Sequence, residues 1–212
     1  MLAAQKLWVP PASSPAAASF VAGNLTDSSN NNAITIGTVN NNELIIVVAA
    51  LYFPGQTFTM SGYTKVAEGQ SNMSWQVAYR VANGSDTTSM STSDYHVTWI
   101  FRFTGYSVSA ASDIKVASYT NGSTFNPPDP PSLDTGSSKN WHFIAMVFNK
   151  GGDTFSGGPS GYTSRGSYPY DGYGFISSAA ATKALSSPAQ VEDPGAWNAV
   201  NANLALTIAI PS

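Results

Sequence analysis

Met73-Ser74-Trp75-Gln76-Val77-Ala78-Tyr79-Arg80-Val81 puts a large apolar side chain at every odd position and a small or polar one at every even position. A period of two is the mark of a strand, because successive side chains leave the backbone on opposite faces. The same alternation runs through Tyr95-His96-Val97-Thr98-Trp99-Ile100-Phe101-Arg102-Phe103 and through Leu204-Ala205-Leu206-Thr207-Ile208-Ala209-Ile210. Each predicts a strand with one face on a core and the other toward water. Leu44-Ile45-Ile46-Val47-Val48-Ala49-Ala50-Leu51-Tyr52-Phe53 differs, being apolar at successive positions. A strand there must be covered on both faces.

Working outward, the punctuation is that of an all-β chain. Asn83-Gly84 and Asn121-Gly122 tolerate the positive φ of tight turns, and Gly-rich stretches at 151–161 and 166–174 read as loops or bulged edges. No long stretch has helical periodicity; residues 178–185 read either as a short helix or as an Ala-rich strand. The fold class is therefore an antiparallel β-sandwich.

Composition narrows the functions. The chain has 212 residues, 42% hydrophobic and 12% aromatic, which is ample for one large core. Only 10% are charged, against about 25% in an average globular protein. Nine Lys and Arg, scattered from Lys6 to Lys183 under a net charge of −3, form no basic stripe for nucleic acid. Nor is there a basic amphipathic helix for a membrane surface. The absence of cysteine excludes disulfides, thiolate metal sites and a cysteine nucleophile. Residues 1–20 carry one charge, Lys6, and Pro10-Pro11 interrupts any apolar segment, so no signal peptide is expected.

An internal repeat organises the chain. Ser61-Gly62-Tyr63-Thr64 recurs as Ser160-Gly161-Tyr162-Thr163, and at the same offset residues 44–48 fall on the apolar Phe143-Ile144-Ala145-Met146-Val147. Between the halves, Phe125-Asn126-Pro127-Pro128-Asp129-Pro130-Pro131 must run extended and cannot pair centrally in a sheet. The expected organisation is an extended N-terminal arm over 1–32 and one sandwich over 33–212, built from halves at about 33–120 and 132–212 that share a core.

Residues with chemical potential are few. His96 and His142 are expected on the surface or at a strand edge, and no G-x-S-x-G turn accompanies them. The carboxylates are scattered, with Glu192-Asp193 the one adjacent pair, and no calcium, phosphate-loop or H-E-x-x-H motif occurs. No catalytic, cofactor-binding or metal-binding residue is expected, and no cofactor. Two segments stand out for recognition. Tyr168, Tyr170 and Tyr173 sit on a small-residue loop, where tyrosine gives rigid contact area for protein or glycan at low entropic cost. In the arm, Leu2, Leu7, Trp8 and Val9 are apolar residues outside the expected core and suit contact with a neighbouring subunit.

The order of parts is an apolar strand, the Gly62-Tyr63-Thr64 turn, and a strand ending Tyr79-Arg80-Val81-Ala82. A Trp/Phe-rich strand closed by Thr104-Gly105, then Pro130-Pro131-Ser132 and the second turn Gly161-Tyr162-Thr163 complete it. Over about residues 33–210 this layout resembles the duplicated, jelly-roll-like β-sandwich structural proteins of tailed-bacteriophage virions. The resemblance implies a role by assembly: capsid decoration or cement, or alternatively a tail fibre, appendage or carbohydrate-binding adhesion module. It implies copies of the same chain as partners, often as trimers, together with the major capsid protein. It also implies a location in the virion after synthesis in the host cytoplasm.

Overall fold

The computed structural model describes residues 18–29, 39–56, 59–84, 90–91, 95–120, 124–151, 153–168, 176–197 and 201–212. Two five-stranded antiparallel sheets pack face to face. The first holds β1 (Ser19–Ser29), β2 (Leu44–Leu51), β4 (Thr64–Gln70), β5 (Ser74–Val81) and β7 (Tyr95–Thr104), in the order β1-β7-β2-β5-β4. The second holds β8 (Lys115–Tyr119), β10 (His142–Lys150), β11 (Thr163–Tyr168), β12 (Ile176–Ala184) and β14 (Leu204–Ile210), in the order β8-β14-β10-β12-β11. Two short ribbons are added: β3 (Thr59–Met60) with β6 (Met90–Ser91), and β9 (Leu133–Lys139) with β13 (Ala189–Glu192).

The most apolar strands take the central places. β2 lies between β5 and β7, β10 lies between β12 and β14, and every residue of β2 is buried. Leu44, Ile46, Val48 and Ala50 of β2 join Trp75, Val77, Trp99 and Phe101 in a core completed by Ile144, Met146, Phe148, Leu206 and Ile208 of the opposite sheet. Trp99 Nε1 donates across the interface to Ser178 Oγ at 2.9 Å, so its one polar atom is satisfied inside that core. The halves thus share one hydrophobic centre.

The outer faces are buried as well, and connectivity explains why. β2 and β4 flank β5 antiparallel to it, so they run parallel to each other, and the link between them must cross a face of the sheet. The β5–β7 link is bound by the same geometry. Met60 and Tyr63 of the first link pack on Ile45, Val47 and Leu51, the outward side chains of β2. On the second sheet Phe155, Tyr162, Trp197 and Ala202 cover Ala145, Val147, Ala179 and Ala205. The expectation that β5, β7 and β14 show water one face is therefore corrected: His96, Thr98 and Ile100 of β7, and Ala205, Thr207 and Ala209 of β14, are all buried.

Two boundaries also move. Ser19–Ser29, expected within an extended arm over 1–32, is an edge strand on β7, since an edge strand is held by ladder bonds and tolerates a polar sequence. β8, expected in the first half, pairs with β14 of the second sheet. The chain also completes the first sheet before it begins the second, whereas a jelly roll alternates between its sheets. Residues 176–184 form a strand, which settles the reading left open for the Ala-rich stretch.

The two sheets carry the same strand order, with β1, β7, β2, β5 and β4 in the places of β8, β14, β10, β12 and β11. The two Ser-Gly-Tyr-Thr segments adopt one turn. Tyr63 N–H donates to Met60 O at 3.2 Å and Tyr162 N–H to Pro159 O at 3.1 Å. Gly62 and Gly161 both have positive φ, 77° and 79°. Each turn leads into a strand bulged at the same place, between Lys65 and Ala67 and between Ser164 and Gly166. The ungapped sequence offset does not carry through to β2 and β10: it sets Ile46, which points inward, on Ala145, which points outward.

Candidate functional site

The described polar clusters fall into two kinds. In the first, charges are neutralised within the fold. Arg102 pairs with Glu43, whose other oxygen accepts from Asn40 Nδ2 at 2.6 Å. Burial pushes the Glu43 carboxyl up, but the hydrogen bonds from Asn40 and Arg102 together outweigh it and hold the pKa below the usual value. Glu192 accepts from Lys183 at 2.6 Å and from the Tyr162 hydroxyl at 3.2 Å, and Lys183 also lies over the Tyr162 ring. Burial, then the Glu192 charge and hydrogen bond, drive the Tyr162 hydroxyl far above its ordinary pKa. Asp113 and Asp134 bind backbone amides in turns, and Asp153 accepts from Asn149 at 2.5 Å. These groups hold loops on sheets.

The second kind is a groove of about 490 Å³ where the proline-rich connector leaves β8. That size falls among small-ligand sites, about 300–1,000 Å³. Its aromatic side is Tyr119, 45% exposed at the end of β8, with Phe125 edge-on against it at 4.8 Å between ring centroids. Pro127, Pro130 and Pro131 give a rigid apolar wall. The connector is fixed to the second sheet: Phe125 bridges Ala202, Trp197 N–H donates to Pro128 O at 2.6 Å, and Thr207 Oγ1 donates to Pro131 O at 2.6 Å.

Two carboxylates enter the groove, Asp129 from the connector and Asp193 from the end of β13. The Asp193 side chain follows from strand alternation, because its neighbour Glu192 turns the other way, to Lys183. Burial, and then the negative charge of Asp193, raise the Asp129 carboxyl above its ordinary value. Glu43, Glu68, Asp113, Asp134, Asp153 and Glu192 each accept from a donor of the chain, whereas Asp129 and Asp193 do not, and Asn126 and Ser132 supply the other polar lining. The groove is therefore an acceptor-rich, negatively charged cleft with an exposed aromatic ring at its mouth.

Of the residues singled out for recognition, only Tyr168 falls within the described residues, and it does not line the groove. Tyr168 ends β11 opposite Ser178, half-buried and packed on the shared core. Tyr170 and Tyr173 lie outside the described residues, as do Leu2, Leu7, Trp8 and Val9. The two histidines are corrected from surface to interior. His96 is 1% exposed on the covered outer face of β7, and His142 is 3% exposed on the inner face of β10, against Phe103 and the Ala18 carbonyl. Among the described residues no group of three His, Asp or Glu is placed to hold a metal. Sequence reading missed the groove, though it held one signal: Asp129 is the single charged residue in a run of prolines, a carboxylate on a stiff segment. Nothing local ties Asp193 or Tyr119 to it.

Comparison with protein-family models, with curated proteins and with solved structures finds no match to this chain.

Proposed function

We propose that this chain is a non-enzymatic structural protein of a tailed-phage particle, an outer accessory protein that stabilises the capsid by contacts with its own copies and with neighbouring coat subunits. The phage part of this reading rests on the sequence layout. The assembly part is supported by one structural observation: each described lysine and arginine is engaged within its own chain. Lys65 pairs with Glu68, Arg102 with Glu43 and Lys183 with Glu192. Lys115 donates to Ser112 O, Arg165 to Thr182, and Lys139 and Lys150 lie over aromatic rings, while Arg80 too has an interaction within the fold. Outside the Asp129–Asp193 groove, a described surface rich in hydroxyls and amides packs against a neighbour without stripping water from many free ions, a step that is costly.

Immunogold electron microscopy of particles from the source lysate, with antibody to this chain, tests the proposal. Label over the head surface is the expected result. Label confined to the tail transfers the reading to an appendage or adhesion module. Particles that carry none of the chain overturn the proposal.

A further inference from the structure

We propose that the Tyr119–Asp129–Asp193 groove binds an arginine side chain presented by another protein chain. This deepens the assembly reading by naming what a partner must bring, but it is argued from the groove alone. Two carboxylates near enough for one to raise the pKa of the other repel, and a cation between them relieves the repulsion where a neutral ligand does not. Glu43, Glu68, Asp113, Asp134, Asp153 and Glu192 already have donors from their own chain, and every described lysine and arginine is engaged elsewhere. No described lysine or arginine lines the groove, where both carboxylates are exposed, so the positive charge is assigned to a second molecule.

The rest of the lining selects the kind of cation. A guanidinium is planar, is less strongly hydrated than an ammonium, stacks on aromatic faces and reaches two acceptors at once through its fixed fork of donors. Tyr119 supplies an exposed ring, 45% accessible, held edge-on by Phe125. Pro130 and Pro131 supply an apolar wall for the methylene stem. A bare divalent ion would use the carboxylates and leave the aromatic ring and the prolines without a role. An anionic sugar or a phosphate would meet two like charges and no lysine or arginine in the lining.

The test is a titration of the full chain, followed by NMR and calorimetry, with N-acetyl-arginine amide as probe. N-acetyl-lysine amide, methyl glucoside and calcium chloride serve as the other arms. The expected result is saturable binding of the arginine probe in the millimolar range, as suits one side chain removed from its protein. Arginine should bind at least about fivefold more tightly than lysine. Asp129→Asn, Asp193→Asn and Tyr119→Ala should each weaken binding by about fivefold or more. A control at Lys65→Ala, on the other sheet, should change nothing. Because the Asp129 carboxylate is disfavoured in the folded protein, Asp129→Asn should melt no lower than the parent, which separates lost binding from lost folding. No saturation by arginine, equal binding of lysine, tighter binding of calcium or glucoside, or indifference to both Asp→Asn changes overturns the proposal. The titration uses isolated protein, so its failure leaves the particle location standing, and unlabelled particles leave the groove standing.

Discussion

His142 sits 3% exposed at the start of β10, with the Phe103 ring edge-on at 4.8 Å and its Nδ1 bonded to the carbonyl of Ala18. A carbonyl only accepts, so Nδ1 carries the proton of a neutral ring. Burial holds the pKa down at about 4; the Ala18 carbonyl works against this and the Arg165 charge adds to it. The sign follows from proton counting. Between pH 6.5 and about 4 the unfolded chain binds a proton at this residue and the folded chain does not. Stability is therefore complete above 6.5 and falls as the pH drops through that window. From 6.5 to about 4, at 1.36 kcal/mol per pKa unit, the loss is about 3 kcal/mol. Urea midpoints should fall steeply between pH 6.5 and 4.5 in the parent and less steeply in His142→Phe. Equal slopes would mean that the ring is hydrated. Asp129 runs the other way: its carboxyl is raised on folding, so it lowers stability as the pH rises through its titration.

At the scale of elements, the two Gly-Tyr turns differ in what surrounds them, and this gives a paired prediction. Gly62 and Gly161 share a backbone conformation that disfavours a side chain, with φ of 77° and 79°. A Cβ on Gly62 would also meet the Arg80 guanidinium at 3.0 Å, whereas one on Gly161 meets nothing within 4 Å. Gly161→Ala should cost about 1 kcal/mol for the left-handed conformation alone. Gly62→Ala should cost measurably more, as read from thermal midpoints of the two variants. Equal losses would show that Arg80 swings away freely. The same elements show what a sequence makes legible. Alternation found β5, β7 and β14 because packing on the inner face is written locally, every second residue. It did not reveal that Thr98 and Ala205 are buried, because the cover comes from other segments, as Phe155 and Trp197 cover Ala205. β1 was hidden because ladder bonds are made by backbone and leave no apolar pattern. The groove was hidden for a related reason, since Tyr119, Asp129 and Asp193 meet only once β8, the connector and β13 are placed on the second sheet.

For the molecule as a whole, the decisive fact is that each sheet is finished within its own stretch of chain yet leaves its inner face bare. The first sheet spans residues 19–104 and the second 115–210. Their outer faces are covered by their own connections. The inner faces, with Trp75, Val77, Trp99 and Phe101 on one side and Ile144, Met146, Phe148 and Leu206 on the other, have no cover except each other. An exposed sheet face of that size drives association, not solubility. The halves should therefore behave as one cooperative unit despite their separate sheets. Fluorescence of the tryptophans and far-ultraviolet circular dichroism should report one coincident unfolding transition in denaturant. Fragments divided between β7 and β8, 1–109 and 110–212, should be insoluble or lack a cooperative melt when made alone. A soluble complex should form when they are made together, because no strand crosses the cut. Two separate transitions, or one fragment with a sharp melt of its own, would make each sheet an autonomous domain. The single-core arrangement also favours slow folding, since pairs such as Ser19 with Thr104 must close long loops before the inner faces can meet.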